Sequence, residues 1–184
     1  NSSNKYQTWE VVDPEKWVPD GYACVRVDSR GAGRSPGYME LHSPREIKDF
    51  YDCIEWAAAQ PWSSGKIGLN GISYYATNQW RVAGRKTPHL AAICVWEGAA
   101  DAYRDRVYHG GIRNTYTTDW YEMQVKTVQH GFGARGKRHP VSGLSAGGDE
   151  TLSDEDLERN RANLAEEHRQ HRLVDDLVFG QQRR

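Results

Sequence analysis

Lys66-Ile67-Gly68-Leu69-Asn70-Gly71-Ile72-Ser73-Tyr74-Tyr75-Ala76 is the stretch on which the fold turns. Lys66–Gly71 reads as a short strand held between glycine turns, and Ser73–Arg85 reads as the helix that follows it. A strand, then Gly-x-Ser, then a helix is the layout of a nucleophile elbow. Such a turn pushes the serine hydroxyl out at the strand's C-terminal edge. There the helix N-terminus and the next backbone N–H can receive a developing oxyanion. The usual second glycine, two residues after the serine, is replaced by Tyr75. Pattern alone therefore leaves two readings of Ser73 open: an elbow nucleophile, or a helix N-cap of no catalytic interest.

Working outward, the neighbouring elements alternate. Tyr22–Asp28 (YACVRVD) is rich in strand formers and ends at the turn residues Ser29-Arg30-Gly31. Ser43-Pro44-Arg45-Glu46 opens a helix: Ser43 caps, Pro44 suits the first helical position, and Glu46 completes a capping box. Ile47, Phe50, Tyr51, Ile54, Ala57 and Ala58 then recur at helical spacing through Gln60, before Pro61. Ala91–Trp96 (AAICVW) is a third strand. Strand, helix, strand, helix, strand predicts parallel βαβ units, hence an α/β fold with three core strands and flanking helices.

Beyond Asp101 the pattern turns helical, with one helix expected over Thr117–Gln129 and another opening at Ser153. Apolar residues make up 55 of the first 132 positions but only 14 of the last 52, so the tail cannot build a core by itself. The expected organisation is a core over 1–100, then a helical segment and polar tail over 101–184.

Several function classes are disfavoured. A formal net charge of -1 argues against a dedicated nucleic-acid or anionic-membrane surface. No run of about 20 apolar residues is present to span a bilayer. Gly31-Ala32-Gly33-Arg34-Ser35-Pro36-Gly37 follows a strand but places Pro36 at the last glycine of a dinucleotide fingerprint, and there is no Walker-type motif. The seven histidines (His42, His89, His109, His130, His139, His168, His171) form no H-x-x-x-H pair, so no metal is expected. Cys24, Cys53 and Cys94 are odd in number and widely spaced, which predicts buried free thiols and a reducing, cytoplasmic setting.

With these pieces in view, the sequence resembles the X-Pro dipeptidyl-peptidase-like, cocaine-esterase-like α/β-hydrolases. The likeness runs from about Trp17 to about Trp120. It is carried by Val27-Asp28-Ser29-Arg30-Gly31-Ala32-Gly33-Arg34-Ser35-Pro36-Gly37, Glu55-Trp56 and Gln60-Pro61-Trp62-Ser63-Ser64-Gly65-Lys66-Ile67-Gly68. Gly71-Ile72-Ser73-Tyr74-Tyr75-Ala76 and Pro88-His89-Leu90-Ala91-Ala92-Ile93 complete it. Together these are highly specific, and in the family the position occupied by Tyr75 varies.

The resemblance implies a serine hydrolase of ester, amide or peptide bonds that works through an acyl-enzyme and needs no cofactor. Ser73 is then the nucleophile and the Tyr74 backbone N–H an oxyanion donor, while Tyr108 and Trp120 line the acyl pocket. The segment from about Asp101 leads into a helical cap. The family's catalytic acid and histidine follow that cap and have no counterpart here, which implies an internal piece of a longer hydrolase. Its second oxyanion donor is a tyrosine after a proline; Tyr6 follows Lys5 and does not inherit the role. Asp101, Asp105 and His109 follow Ser73 in acid-then-histidine order, but His109 is only four residues past Asp105 and a triad would need it at a different strand end, so this alternative is disfavoured.

Two structural expectations follow. Asp28 and the Gly31–Gly37 loop should share the sheet edge of Ser73. Tyr22–Asp28 should not be hydrogen-bonded to Lys66–Gly71, because the family places another strand between them. Open edges would favour self-association. The competing reading is a non-catalytic α/β module that acts through partner binding.

Overall fold

A computed structural model describes residues 2–3, 5–6, 10–32, 35 and 39–116, together with the single residues 120, 153, 155, 158 and 159. The compact unit that carries the regular elements is Asn1–Trp120. The helices expected over Thr117–Gln129 and from Ser153 lie outside the described residues, apart from isolated positions.

The elements are α1 (Pro14–Trp17), α2 (Pro44–Ala58), β1 (Ile67–Ile72), α3 (Tyr74–Ala83) and β2 (Leu90–Trp96). The α2 start forms as its residues dictate: the Ser43 hydroxyl accepts the Glu46 N–H at 3.0 Å. The Glu46 carboxylate reaches back one residue further than in a standard capping box and takes the His42 N–H at 2.6 Å. β1 and β2 pair in parallel, Gly68 opposite Ala92 through Ile72 opposite Trp96, with an irregularity between Ile67 and Gly68. α3 is the crossover between them, so the unit is β1–α3–β2.

The core is small and lies on the helical side of the sheet. Ile47 and Ile54 of α2 meet Val82 of α3, and Phe50, Tyr51, Ile67, Leu69 and Leu90 pack around them. The outer face of β2 keeps Trp96 in solvent at 59 % exposure, and Trp56 of α2 is likewise exposed at 57 %.

The third strand is a correction. Among the described residues the sheet has two strands, and Tyr22–Asp28 makes no ladder. Its Val25 and Val27 are exposed. The segment is tied instead by a side chain: the Arg26 guanidinium donates to the Tyr6 carbonyl at 2.7 Å and the Val12 carbonyl at 3.2 Å. A strand needs a neighbour to take its N–H and C=O groups, and β1, paired on one side with β2, turns its other edge elsewhere. There the Ile72 N–H donates to the Glu10 carbonyl at 3.2 Å. The expectation that Tyr22–Asp28 would not pair with β1 agrees with this arrangement.

Cys24, Cys53 and Cys94 are free thiols, but none is fully buried, and Cys94 is exposed because the outer face of β2 is uncovered among the described residues. Burial pushes the Cys24 and Cys53 thiols above their ordinary range.

Candidate active site

The turn between β1 and α3 is set by close packing. A Cβ on Gly71 would come within 2.5 Å of the Tyr75 Cβ, so only glycine lets the first turn of α3 fold back over the end of β1. The same holds across β2, where a Cβ on Gly98 would stand 2.8 Å from both the Ala76 Cβ and the Val95 Cγ1. Between these contacts Ser73 has φ 58° and ψ -112°, a region that residues with a side chain rarely occupy. The Ser73 N–H continues the sheet by donating to the Trp96 carbonyl at 2.9 Å. The Ser73 carbonyl accepts the Ala76 and Thr77 N–H groups at 3.1 and 2.9 Å.

This geometry separates the two readings of Ser73. An N-cap residue has extended φ/ψ and its side chain accepts an N–H of the first turn. Ser73 has neither: its backbone is left-handed and its hydroxyl caps nothing. Tyr74 stands at the first position of α3, where helical geometry offers its N–H no carbonyl. The arrangement can therefore hold a hydroxyl beside unspent N–H groups at the positive end of a ten-residue helix.

Ser73 opens on a cleft of about 210 Å³ lined by Thr77, Glu97, Gly98, Ala99, Asp105 and Arg106. The Thr77 hydroxyl ties the wall together, donating to the Ser73 carbonyl at 3.2 Å and accepting the Ala99 N–H at 3.1 Å. Asp105 lies on a π-type turn, Ala102–Val107. Its Oδ2 accepts the Ala100 and Asp101 N–H groups at 3.0 and 2.9 Å. Asp101 caps that turn, accepting from the Tyr103 and Arg104 N–H groups, and pairs with the Arg104 guanidinium at 2.8 Å. Those backbone bonds to Asp101, with the Arg104 guanidinium, hold its carboxyl below the usual range.

The alternative triad of Asp101, Asp105 and His109 is thus not assembled among the described residues. Both carboxylates are occupied by backbone, and His109 sits exposed in the following turn, outside the cleft lining. Tyr108 and Trp120 do not appear among the described residues that line this cleft. The Tyr108 ring packs on that of Tyr103 at 4.8 Å between centroids. The loop after Tyr22–Asp28 is described in part: the Ser35 hydroxyl donates to the Asp28 carbonyl at 2.7 Å. Burial raises the Tyr75 phenol, and the Glu10 and Asp28 carboxylates add to the rise.

Two side chains were not singled out in the sequence, His42 and Arg106. The His42 Nδ1 meets the Asn78 Oδ1 at 3.3 Å, and its Nε2 meets Arg106 Nη1 at 3.4 Å. The His42 carbonyl accepts from the Arg81 guanidinium at 2.6 Å, and its ring lies 5.3 Å from that of Tyr74. Burial pushes the imidazole down to about 4, with Arg81 the next cause, so it is neutral near pH 7. Burial likewise pushes Glu46 up to about 7, against the His42 N–H and Arg81. Its Oε1 is buried without a hydrogen-bond partner. The capping pattern around Ser43 marks where His42 stands in the chain, but nothing local shows that α3 will lie beside it.

A family model described as X-Pro dipeptidyl-peptidase (S15 family) matches residues 1–178. A Mycobacterium bovis protein named as a serine esterase is 28% identical over 172 residues, covering 89% of this chain and 27% of that protein. Cocaine esterase of a Rhodococcus species is 36% identical over 96 residues, 52% of this chain and 17% of the enzyme. A crystal structure of a CocE/NonD family hydrolase from Staphylococcus aureus superposes with a TM-score of 0.60 at 42% identity, covering 67% of this chain and 23% of that one. The fold is of the α/β-hydrolase type. The chain spans about a quarter or less of the length of these relatives.

Proposed function

The chain belongs to the X-Pro dipeptidyl-peptidase (S15) family of serine hydrolases, and on that premise we propose that Ser73 is its acyl nucleophile and the Tyr74 N–H an oxyanion donor. The carrying observation is the left-handed backbone of Ser73, with a hydroxyl that caps nothing. A strained non-glycine residue that forgoes its local hydrogen bond costs about 1–3 kcal/mol, which fits a turn built to present a side chain.

The substrates are esters, amides or peptides, the bonds that this family's members act on. The Ser73 Oγ attacks the carbonyl carbon, and the oxygen takes up negative charge toward the Tyr74 N–H and the start of α3. Collapse expels the alcohol or amine and leaves an acyl-serine, which water then hydrolyses. In the same reading residues 1–100 form the hydrolase core and 101–184 lead into a cap. Among the described residues no helix is long and apolar enough to cross a membrane.

No imidazole lines the cleft among the described residues, so no histidine is placed there to take the Ser73 proton. Disabling members of a triad costs on the order of 10⁴- to 10⁶-fold in rate. The purified chain should therefore turn over p-nitrophenyl acetate slowly, and Ser73→Ala should abolish what remains. Equal rates in the two proteins would overturn the assignment. Fast turnover lost in the variant would mean that a base lies within the 184 residues.

A further inference from the structure

The arginines of this chain are spent in different ways. Arg30 pairs with Asp49, Arg45 with Glu40 and Arg104 with Asp101, all within 3 Å. Arg106 is half-buried in the wall of the Ser73 cleft and, among the described residues, has no carboxylate partner. Its sequence neighbour Asp105 has turned its Oδ2 to the Ala100 and Asp101 N–H groups. Glu97, the other carboxylate of the cleft, is exposed. The contact Arg106 does make is with a neutral acceptor, the Nε2 of His42 at 3.4 Å.

That contact requires one tautomer. Asn78 presents its Oδ1 to Nδ1, so Nδ1 carries the proton and Nε2 is free to accept from the guanidinium. His42 is held by its N–H to Glu46 and its carbonyl to Arg81, so it anchors Arg106 without neutralising it. Among the described residues one of its five N–H groups is used, and the rest of a planar fork that suits a carboxylate remains.

We propose that Arg106, oriented by His42, is the anion-recognising group of the Ser73 cleft, and that the acyl groups admitted there carry a carboxylate a few atoms from the reactive carbonyl. The proposal rests on Ser73 being the acyl nucleophile. A cleft of about 210 Å³ is smaller than the range for drug-sized ligands, so the acyl group is short. Arg106 is a binding residue in this scheme and His42 a positioning residue.

The test is binding of monomethyl succinate, an anion at pH 7, against neutral dimethyl succinate, followed by calorimetry on the full chain. The wild type should bind the monoester at least about 10-fold tighter, as a charge-assisted contact provides. Arg106→Gln should remove the preference and Arg106→Lys should keep part of it. His42→Gln, which retains a donor and an acceptor, should preserve it, whereas His42→Phe should lose it. Equal affinity for the two esters in the wild type, or a preference that survives in Arg106→Gln, would overturn the proposal. Labelling of wild-type Ser73 by a neutral fluorophosphonate reports separately on the nucleophile. Labelling without an anion preference sinks this inference alone, and a preference without labelling supports the anion site while removing the role of Ser73.

Discussion

Ile67–Ile72 and Tyr22–Asp28 make an instructive pair. The first has two glycines and an asparagine in six residues, and yet it is a strand. The second is dense in valine, tyrosine and cysteine, the better strand formers, and yet it makes no ladder. The difference lies in what each segment can reach. The connection through α3 delivers β2 to the edge of β1 in register, and Gly71 of β1 and Gly98 after β2 let α3 sit close. Tyr22–Asp28 has no equivalent partner among the described residues, so its valines stay in solvent. Strand propensity describes a fit to a surface, and where that surface is missing the propensity has nothing to act on.

Two glycines of β1 give the sharpest way to break this contrast. Gly71→Ala should cost about 2–3 kcal/mol, because the added Cβ meets the Tyr75 Cβ at 2.5 Å and α3 must move off the sheet. Gly68→Ala, with open space around its position, should change stability by no more than about 0.5 kcal/mol. Urea melts of the two variants compare them directly.

The next effect concerns the half-buried pair His42 and Glu46. Glu46 stands at about 7 in the folded chain against an ordinary 4.5, so folded protein keeps a proton that unfolded protein releases. Its contribution therefore falls as pH rises from about 4.5 to 7. His42 stands at about 4 against 6.5, so unfolded protein takes up a proton that folded protein refuses, and this contribution falls as pH drops from 6.5 to 4. The two oppose each other and should leave the wild type nearly flat over about pH 4.5–6.5. His42→Gln should expose the first slope and Glu46→Gln the second, each about 1–2 kcal/mol once the solvent reaching both groups is allowed for. Melting temperatures across that range check the signs; matching slopes in both variants would refute the pairing. Changes on the open strip should be silent by comparison, with Val27→Thr shifting stability by less than about 0.5 kcal/mol.

Much of this was legible in the sequence because the signals were local. Ser43, Pro44 and Glu46 announce the start of α2, and Gly71-Ile72-Ser73 announces the turn. The role of Gly98 was not legible, since its need for a bare Cα comes from Ala76 and Val95, which reach it through packing. His42 and Arg106 are 64 residues apart and meet through the side of α3, a contact that no spacing rule encodes. The strand expected at Tyr22–Asp28 failed for the opposite reason: its local signal was strong, and among the described residues no partner strand stands beside it.

The central claim is that the Ser73 turn is shaped to present a nucleophile, and reaction with a fluorophosphonate followed by peptide mass spectrometry tests it most directly. With no histidine beside it among the described residues, the serine should react slowly. The expected result after prolonged exposure to excess probe is a single adduct on the peptide containing Ser73, absent in Ser73→Ala. Ser73→Gly, which relieves a left-handed backbone, should melt higher than the wild type by the equivalent of about 1 kcal/mol while also losing the adduct. An unmodified Ser73 peptide, or an adduct that persists in Ser73→Ala, would contradict the account.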